Sequence, residues 1–144
     1  MEINSEIPLA NTPLEIADLI KDIIQDKIVC DIGCGEGDFM VAMSKYAKKV
    51  IGIEEIKERA DKAKMKGFEV IKDNSFHNPL PQADVYYSWT RDSMGVYLKA
   101  KEEGTKGIFI FGITERISPK AFIKTLNPEI RQTNNGWRIY ICQL

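Results

Sequence analysis

The sequence is poor in the residues that hold metal ions and disulfides. Its 144 residues include one histidine and three cysteines, which are His77, Cys30, Cys34 and Cys142. With so few soft ligands, we expect no zinc site and no other metal centre. An odd number of cysteines without a secretory signal predicts reduced thiols, and therefore a cytoplasmic protein.

Long apolar runs and an excess of one charge are also missing. No apolar run approaches the ~18 residues of a membrane-spanning helix, and the first residues do not resemble a signal peptide. The 20 basic and 21 acidic residues leave a formal net charge of −1. Because a nearly neutral chain has no global attraction for nucleic acids or anionic membranes, we expect no membrane partner and no strong nucleic-acid signal.

The chain does have the length and composition of one globular domain, expected over residues 1–144. It is 44% hydrophobic and 28% charged, which is ordinary for a soluble protein. Short apolar runs alternate with amphipathic stretches. This alternation predicts a three-layer α/β fold with a mostly parallel sheet.

The predicted elements follow this alternation closely. Strands are predicted at 27–32, 50–54, 68–72, 84–89 and 107–112, and helices at 13–25, 37–48, 55–66, 91–103 and 118–126. The turn Asn134-Asn135-Gly136 lies between two further runs, 129–133 and 137–143. Asn-Gly between such runs is a strong hairpin signal, so an antiparallel hairpin is expected to end the sheet.

The most informative segment is the glycine-rich stretch D-I-G-C-G-E-G at 31–37. It follows a predicted strand and begins a predicted helix. Glycines let the backbone turn tightly and approach a ligand closely. The free N–H groups at the start of the helix favour an anionic or zwitterionic group there.

A carboxylate stands at the end of the second predicted strand. Glu54 lies 21 residues after Gly33. An acid in this place can accept hydrogen bonds from both ribose hydroxyls of an adenosine-containing cofactor. The loop and the acid together indicate a nucleoside cofactor at the switch point of the sheet.

The spacing and charges favour S-adenosylmethionine over NAD. The dinucleotide fingerprint G-x-G-x-x-G/A would place its third glycine where the chain has Asp38, and Glu36 would add negative charge near a pyrophosphate. S-adenosylmethionine has no phosphate but carries an amino group and a sulfonium, which suit Asp31. A nucleotide-dependent oxidoreductase is the less favoured alternative.

These motifs resemble those of the class I, seven-stranded, Rossmann-like methyltransferases. D-I-G-C-G-E-G is similar to their first motif, V-I-G-I-E at 50–54 to their second-strand motif, and D-V-Y-Y-S-W at 84–89 to their fourth-strand motif. The element order, including the final hairpin, also matches. The resemblance extends from about Thr12 to Leu144.

The resemblance implies which residues hold the cofactor. They are Asp31, Gly33, Cys34, Gly35, Glu54, Glu55, Asp73, Asn74 and Ser88. Asp73 and Asn74 fall where the family often holds the adenine edge. Glu55 stands where the family usually places an apolar residue, so Ile56 is expected to take part of that contact.

The segment Leu9-Ala10-Asn11-Thr12-Pro13 resembles the P-T-P-like leader of some seven-stranded lysine methyltransferases. In those enzymes the leader helps to hold the methionine end of the cofactor. The similarity adds Thr12 to the expected cofactor-binding residues.

The catalytic residues stay unassigned at this stage. The fourth strand ends in Tyr87-Ser88-Trp89-Thr90 rather than in the N-P-P-Y-like motif of amino-methylating enzymes. Candidates near the expected methyl group are Ser88, Trp89 and Arg91. We expect a methyltransferase acting on a protein, lysine in particular, or on a small molecule. The alternative is a non-catalytic S-adenosylmethionine-binding module or partner subunit with the same fold.

Overall fold

A seven-stranded mixed sheet forms the centre of the protein. The computed structural model describes residues 12–74, 77–89, 92–112 and 126–144. The strands are β1 (Ile28–Ile32), β2 (Lys49–Glu54), β3 (Glu69–Lys72), β4 (Val85–Ser88), β5 (Ile108–Gly112), β6 (Glu129–Gln132) and β7 (Arg138–Gln143), in the order β3-β2-β1-β4-β5-β7-β6. The first five are parallel, whereas β7 is antiparallel to both β5 and β6. The predicted mostly parallel sheet with a C-terminal hairpin is confirmed.

The helices are shorter than their sequence patterns predict. They are α1 (Ile16–Leu19), α2 (Lys21–Ile24), α3 (Asp38–Met43), α4 (Lys57–Met65) and α5 (Ser93–Glu102). The single helix expected at 13–25 is interrupted at Ile20, whose φ of −111° and ψ of 11° are not helical. Burial is unaffected by the break, since Ile16, Ile20 and Ile24 are all fully buried. The helix predicted at 118–126 lies outside the described residues, except for Leu126.

Each face of the sheet is covered by its own apolar cluster. Val29, Val85 and Ile110 lie on the face that packs against α1, α2 and α3. Cys30, Tyr86 and Phe109 lie on the opposite face, against α5. Because side chains alternate along a strand, each parallel strand contributes to both clusters. The strands therefore read as continuous apolar runs, as expected for a sheet buried on both faces.

Two expected absences concern metals and membranes. Within the described ranges, no group of three or more histidine, cysteine, aspartate or glutamate side chains is arranged to hold a metal ion. Within the same ranges, no helix is long and apolar enough to cross a membrane. The cytoplasmic location and the single domain over 1–144 stay predictions.

Candidate functional site

The sheet topology defines where a ligand would bind. The chain passes from β1 outward to β2 and β3, and then returns to place β4 on the other side of β1. In such sheets, ligands bind outside the carboxyl ends of the strands at the point where the order reverses. The ends of β1, β2 and β4 therefore border the candidate site.

The glycine-rich loop after β1 has the backbone conformation that its glycines allow. The φ angles of Gly33, Gly35 and Gly37 are 77°, 58° and 93°, a region that other residues rarely adopt. The amides of Gly33 and Cys34 both donate to the Ile53 carbonyl, at 2.8 and 3.0 Å. These bonds fix the loop against the end of β2.

The loop also packs closely against α4, the helix that follows β2. A Cβ at Gly35 would lie 2.5 Å from Nη2 of Arg59, and one at Gly37 would lie 3.2 Å from the Ala63 side chain. The glycines thus serve helix packing as well as the turn.

The Glu54 carboxylate lies directly at this loop. Its Oε1 accepts a hydrogen bond from the Gly35 amide at 2.8 Å, and its Oε2 accepts one from the Ile56 amide at 3.0 Å. The residue is buried, with 6% of its surface exposed. The structure therefore brings together the loop and the acid, which the sequence separates by about twenty residues.

A second buried carboxylate adjoins the first. Asp31 is the next-to-last residue of β1, in register with Gly52 of β2 and Tyr87 of β4, and it is 3% exposed. Burial, and to a lesser extent the neighbouring Glu54 carboxylate, raise the pKa of Asp31 to about 7. A cation close to this carboxyl group would stabilise its ionised form and lower its pKa.

Tyr87 completes the polar group, and the sequence analysis did not assign it to the cofactor. Its hydroxyl is completely buried. Burial and the Asp31 charge raise the pKa of Tyr87 well above its usual value, while the Thr12 side chain acts in the opposite direction. Thr12 therefore lies beside the phenol, close to Asp31. Alternation of side chains along β4 could have indicated this role for Tyr87, because Val85 and Tyr87 lie on the same face as Val29 and Asp31.

The residues expected at the adenine edge also converge. The Asn74 side chain donates to Oε2 of Glu55 at 2.9 Å. The Asp73 amide donates to the Glu54 carbonyl at 3.1 Å. The Asn78 side chain donates to the Asp73 carboxylate and holds the pKa of that group below its usual value. The ends of β2 and β3 thus form one polar edge beside the glycine loop.

The three catalytic candidates are placed differently. Ser88 is in register with Ile32, on the face opposite Asp31. Its hydroxyl lies 2.8 Å from the hydroxyl of Ser93, the first residue of α5. Ser88 therefore lies on the face of β4 opposite the one that Tyr87 shares with Asp31. Trp89 packs against the cluster that contains Tyr87. Arg91 lies outside the described residues.

The absence of a side chain at Gly52 allows the glycine-rich loop and α3 to pack closely against β2. This close packing leads to a stability prediction. A Cβ there would lie 2.6 Å from Sγ of Cys34 and 2.9 Å from Sδ of Met40. We expect Gly52→Ala to lower the free energy of unfolding by about 1–3 kcal/mol, because an added methyl overpacks the site. Urea denaturation measures this. The exposed change Lys72→Ala on β3 is the control and should cost less than about 0.5 kcal/mol. An unchanged stability of Gly52→Ala would contradict the close packing.

Comparison with known proteins gives partial sequence matches and an extensive structural one. No family model matches the chain. A probable ribosomal RNA small subunit methyltransferase A from Methanosphaera stadtmanae is 34% identical over 70 residues, 26% of its own length. The 23S rRNA (uracil(1939)-C(5))-methyltransferase RlmD from Alcanivorax borkumensis is 35% identical over 77 residues, 16% of its length. The chain thus spans about a quarter or less of the curated relatives that it matches.

The structural match covers almost the whole chain. An RNA methyltransferase from Salinibacter ruber, solved with S-adenosyl-L-homocysteine, superposes with a TM-score of 0.71 and 14% identity, covering 93% of each chain. At this low identity the likeness concerns the fold. The chain has the seven-stranded, Rossmann-like fold of class I methyltransferases, as its motifs predicted.

The comparisons correct one expectation. The names of both sequence relatives and of the Salinibacter ruber protein describe them as methyltransferases of RNA. The expectation of a protein or small-molecule acceptor without a nucleic-acid signal is therefore wrong. It rested on the formal net charge of −1, and a sum over the whole chain does not describe the small part of the surface that contacts a substrate.

Proposed function

We propose that this protein is an S-adenosylmethionine-dependent methyltransferase whose acceptor is RNA. The observation that carries the proposal is the contact between Glu54 and the Gly35 amide at the carboxyl edge of β1 and β2. It is supported by the buried carboxylate of Asp31 beside that contact.

The polar atoms of the site fit this cofactor. A carboxylate has about four lone-pair positions, and Glu54 uses two of them for backbone amides. Two remain for the two ribose hydroxyls. Asp31 offers a negative charge to the amino group, and Tyr87 offers a buried hydroxyl beside that carboxylate. Two buried carboxylates would repel a pyrophosphate, so the same site is unsuited to a dinucleotide.

The chemistry requires mainly positioning from the protein. The cofactor supplies an activated methyl group on a sulfonium, so that orientation provides much of the rate. Glu54 and the polar edge at Asp73 and Asn74 would hold the nucleoside, and Asp31 with Thr12 and Tyr87 would hold the amino-acid end. Trp89 stays a candidate near the acceptor.

The choice of RNA rests on the relatives. The two curated relatives and the structural neighbour from Salinibacter ruber carry names that specify ribosomal RNA or RNA. Because the chain spans a small part of the curated relatives, their individual target positions are not carried over.

Two measurements test the proposal separately. Calorimetric titration should show binding of S-adenosylhomocysteine, and the absence of binding would contradict the cofactor assignment. Incubation with tritiated S-adenosylmethionine and cell lysate, followed by separation of RNA from protein, should place the label in RNA. Label in protein alone would refute the RNA acceptor. Binding without transfer to any pool would indicate the non-catalytic module instead.

A further inference from the structure

Positive charge is concentrated in one segment of the chain. Residues 45–72 contain 9 basic and 5 acidic residues, a formal net charge of +4, whereas the rest of the chain contains 11 basic and 16 acidic residues, a net charge of −5. The segment runs from just after α3 through β2 and α4 to the end of β3. Since β3 is the outermost strand on its side of the sheet, the nearly neutral total conceals a positive edge of the protein.

The basic residues on one side of α4 already have partners in the glycine-rich loop. Lys62 and Lys66 are four residues apart and therefore lie on the same side of the helix. Nζ of Lys62 lies 3.4 Å from the Glu36 carboxylate, and Nζ of Lys66 lies 3.1 Å from the Asp38 carboxylate. These two charges belong to the packing of α4 against the loop.

The basic residues on the other side of α4 outnumber their acidic partners. Lys57 and Lys64 are two helical turns apart, about 10 Å along the axis, and Asp61 lies between them. Lys72 joins them from β3, because it shares the face of Val70, which packs in the cluster that contains the buried alanines of α4. The hydrogen bond from Lys57 holds the pKa of the Asp61 carboxyl below its usual value. The charges of Lys64 and Lys72 act on that carboxyl in the same direction, which places both lysines near it.

This lysine cluster, formed by Lys57, Lys64 and Lys72 around Asp61, has a surplus of positive charge. Nζ of Lys57 lies 2.7 Å from Oδ2 of Asp61. In the part of the chain that the structure describes, neither Lys64 nor Lys72 forms an ion pair of its own. All three lysines are exposed. The cluster therefore presents two positive charges beyond the one that Asp61 neutralises, which favours a ligand with several negative charges.

The lysine cluster adjoins the nucleoside end of the proposed cofactor site. Lys57 begins α4 three residues after Glu54. Lys72 is in register with Glu54 across β2 and β3 and directly precedes Asp73. In the sheet order, β3 is three strands away from β4, which corresponds to about 14 Å. An RNA strand spans this distance with a few nucleotides, so that one molecule can reach both the cluster and the end of β4.

We propose that Lys57, Lys64 and Lys72 bind the phosphate backbone of RNA, outside the nucleotide that is methylated. This inference rests on the proposed RNA methyltransferase function and names a substrate-binding surface for it. Contacts between lysines and phosphates position a nucleic acid without reading its sequence, and they weaken as salt is added. RNA is favoured over an acidic protein because the proposed acceptor itself brings one phosphate per nucleotide to this edge of the sheet.

Fluorescence anisotropy with a labelled single-stranded RNA dodecamer tests the inference on the whole chain. Lys64→Ala/Lys72→Ala leaves the ion pair between Lys57 and Asp61 intact and removes two phosphate contacts. The slope of log affinity against log salt should become shallower by about 1.4, since each contact with a single strand contributes about 0.7. Relative to 1 M salt, where such contacts contribute little, this corresponds to about 25-fold weaker binding at 0.1 M salt. Lys64→Arg/Lys72→Arg keeps both charges and should bind like wild type.

The controls separate this inference from the proposed function. Both lysines are exposed, so the double alanine variant should fold and should bind S-adenosylhomocysteine within twofold of wild type. Lys101→Ala/Lys106→Ala removes the same charge from exposed positions at the end of α5 and before β5, and it should keep the wild-type slope.

Two results would overturn the inference. The first is a wild-type slope in Lys64→Ala/Lys72→Ala, or an equal loss of binding in Lys101→Ala/Lys106→Ala. The proposed function would stand in that case, because binding of S-adenosylhomocysteine and transfer of label to RNA are measured independently. The second is binding of polyglutamate that depends on the lysine cluster while RNA binding does not, which would indicate an acidic protein partner instead.

Discussion

Replacing Glu54 with alanine should weaken S-adenosylhomocysteine binding at least 100-fold. Without the carboxylate, the ribose of the bound cofactor would lose two charge-assisted hydrogen bonds, each worth about 1.5–3 kcal/mol. A loss of about 3 kcal/mol corresponds to more than a hundredfold in the dissociation constant. The amides of Gly35 and Ile56 would also lose their acceptor, so the loop would be less well ordered for binding.

Calorimetric titration measures this effect, and two further variants serve as an intermediate case and a control. Glu54→Gln keeps one acceptor oxygen and the side-chain shape, so its affinity should lie between those of wild type and Glu54→Ala. Glu102→Ala removes an exposed carboxylate at the end of α5, at the opposite edge of the sheet, and should bind like wild type. An affinity of Glu54→Ala within threefold of wild type would remove the basis of the cofactor assignment.

Replacing Asp31 with asparagine should stabilise the ligand-free protein at alkaline pH and impair cofactor binding. The pKa of this carboxyl is raised from 3.8 to about 7, first by burial and then by Glu54. The stability contributed by the protonated group is therefore complete below about pH 4 and lost as the pH rises through 7. Asparagine does not titrate, so the variant should gain up to about 4 kcal/mol over wild type above pH 8. It also lacks the charge that the amino group of the cofactor needs.

Urea denaturation at pH 5 and pH 8.5, with calorimetry at pH 8.5, tests both parts. The difference between the variant and wild type should be larger at the higher pH, and the affinity for S-adenosylhomocysteine should fall at least tenfold. Asp26→Asn is the matched control, since it makes the same change at an exposed position and should show neither effect. A stability difference independent of pH would show that Asp31 is ionised throughout this range.

The fold and the glycine loop were predictable because their signals are local. The apolar runs of β1 and β5 and the Asn-Gly turn of the hairpin each depend on a few adjacent residues. Positive φ angles at Gly33, Gly35 and Gly37 follow from what glycine alone tolerates. The helix at 13–25 was predicted as one piece because its apolar stripe is continuous, and the stripe stays buried although the backbone breaks at Ile20.

The site was only partly predictable because strand alternation must be combined with register. The sequence shows that Tyr87 and Ser88 point to opposite faces of β4. It does not show that Tyr87 is in register with Asp31, or that Ser88 lies beneath α5. The contact between the rings of Trp89 and Trp137, whose centroids are 5.8 Å apart, was not predicted, because it depends on β7 lying between β5 and β6.

By itself, the sequence determined the order of the strands along the chain, the shape of the loop after β1 and the presence of an acid at the end of β2, because each depends on neighbouring residues. Only the tertiary structure decided that Glu54 contacts Gly35, that the hydroxyl of Tyr87 lies buried near Asp31, and that two distant tryptophans meet. Those contacts depend on which strands lie side by side, and strand pairing is set by the packing of the whole sheet.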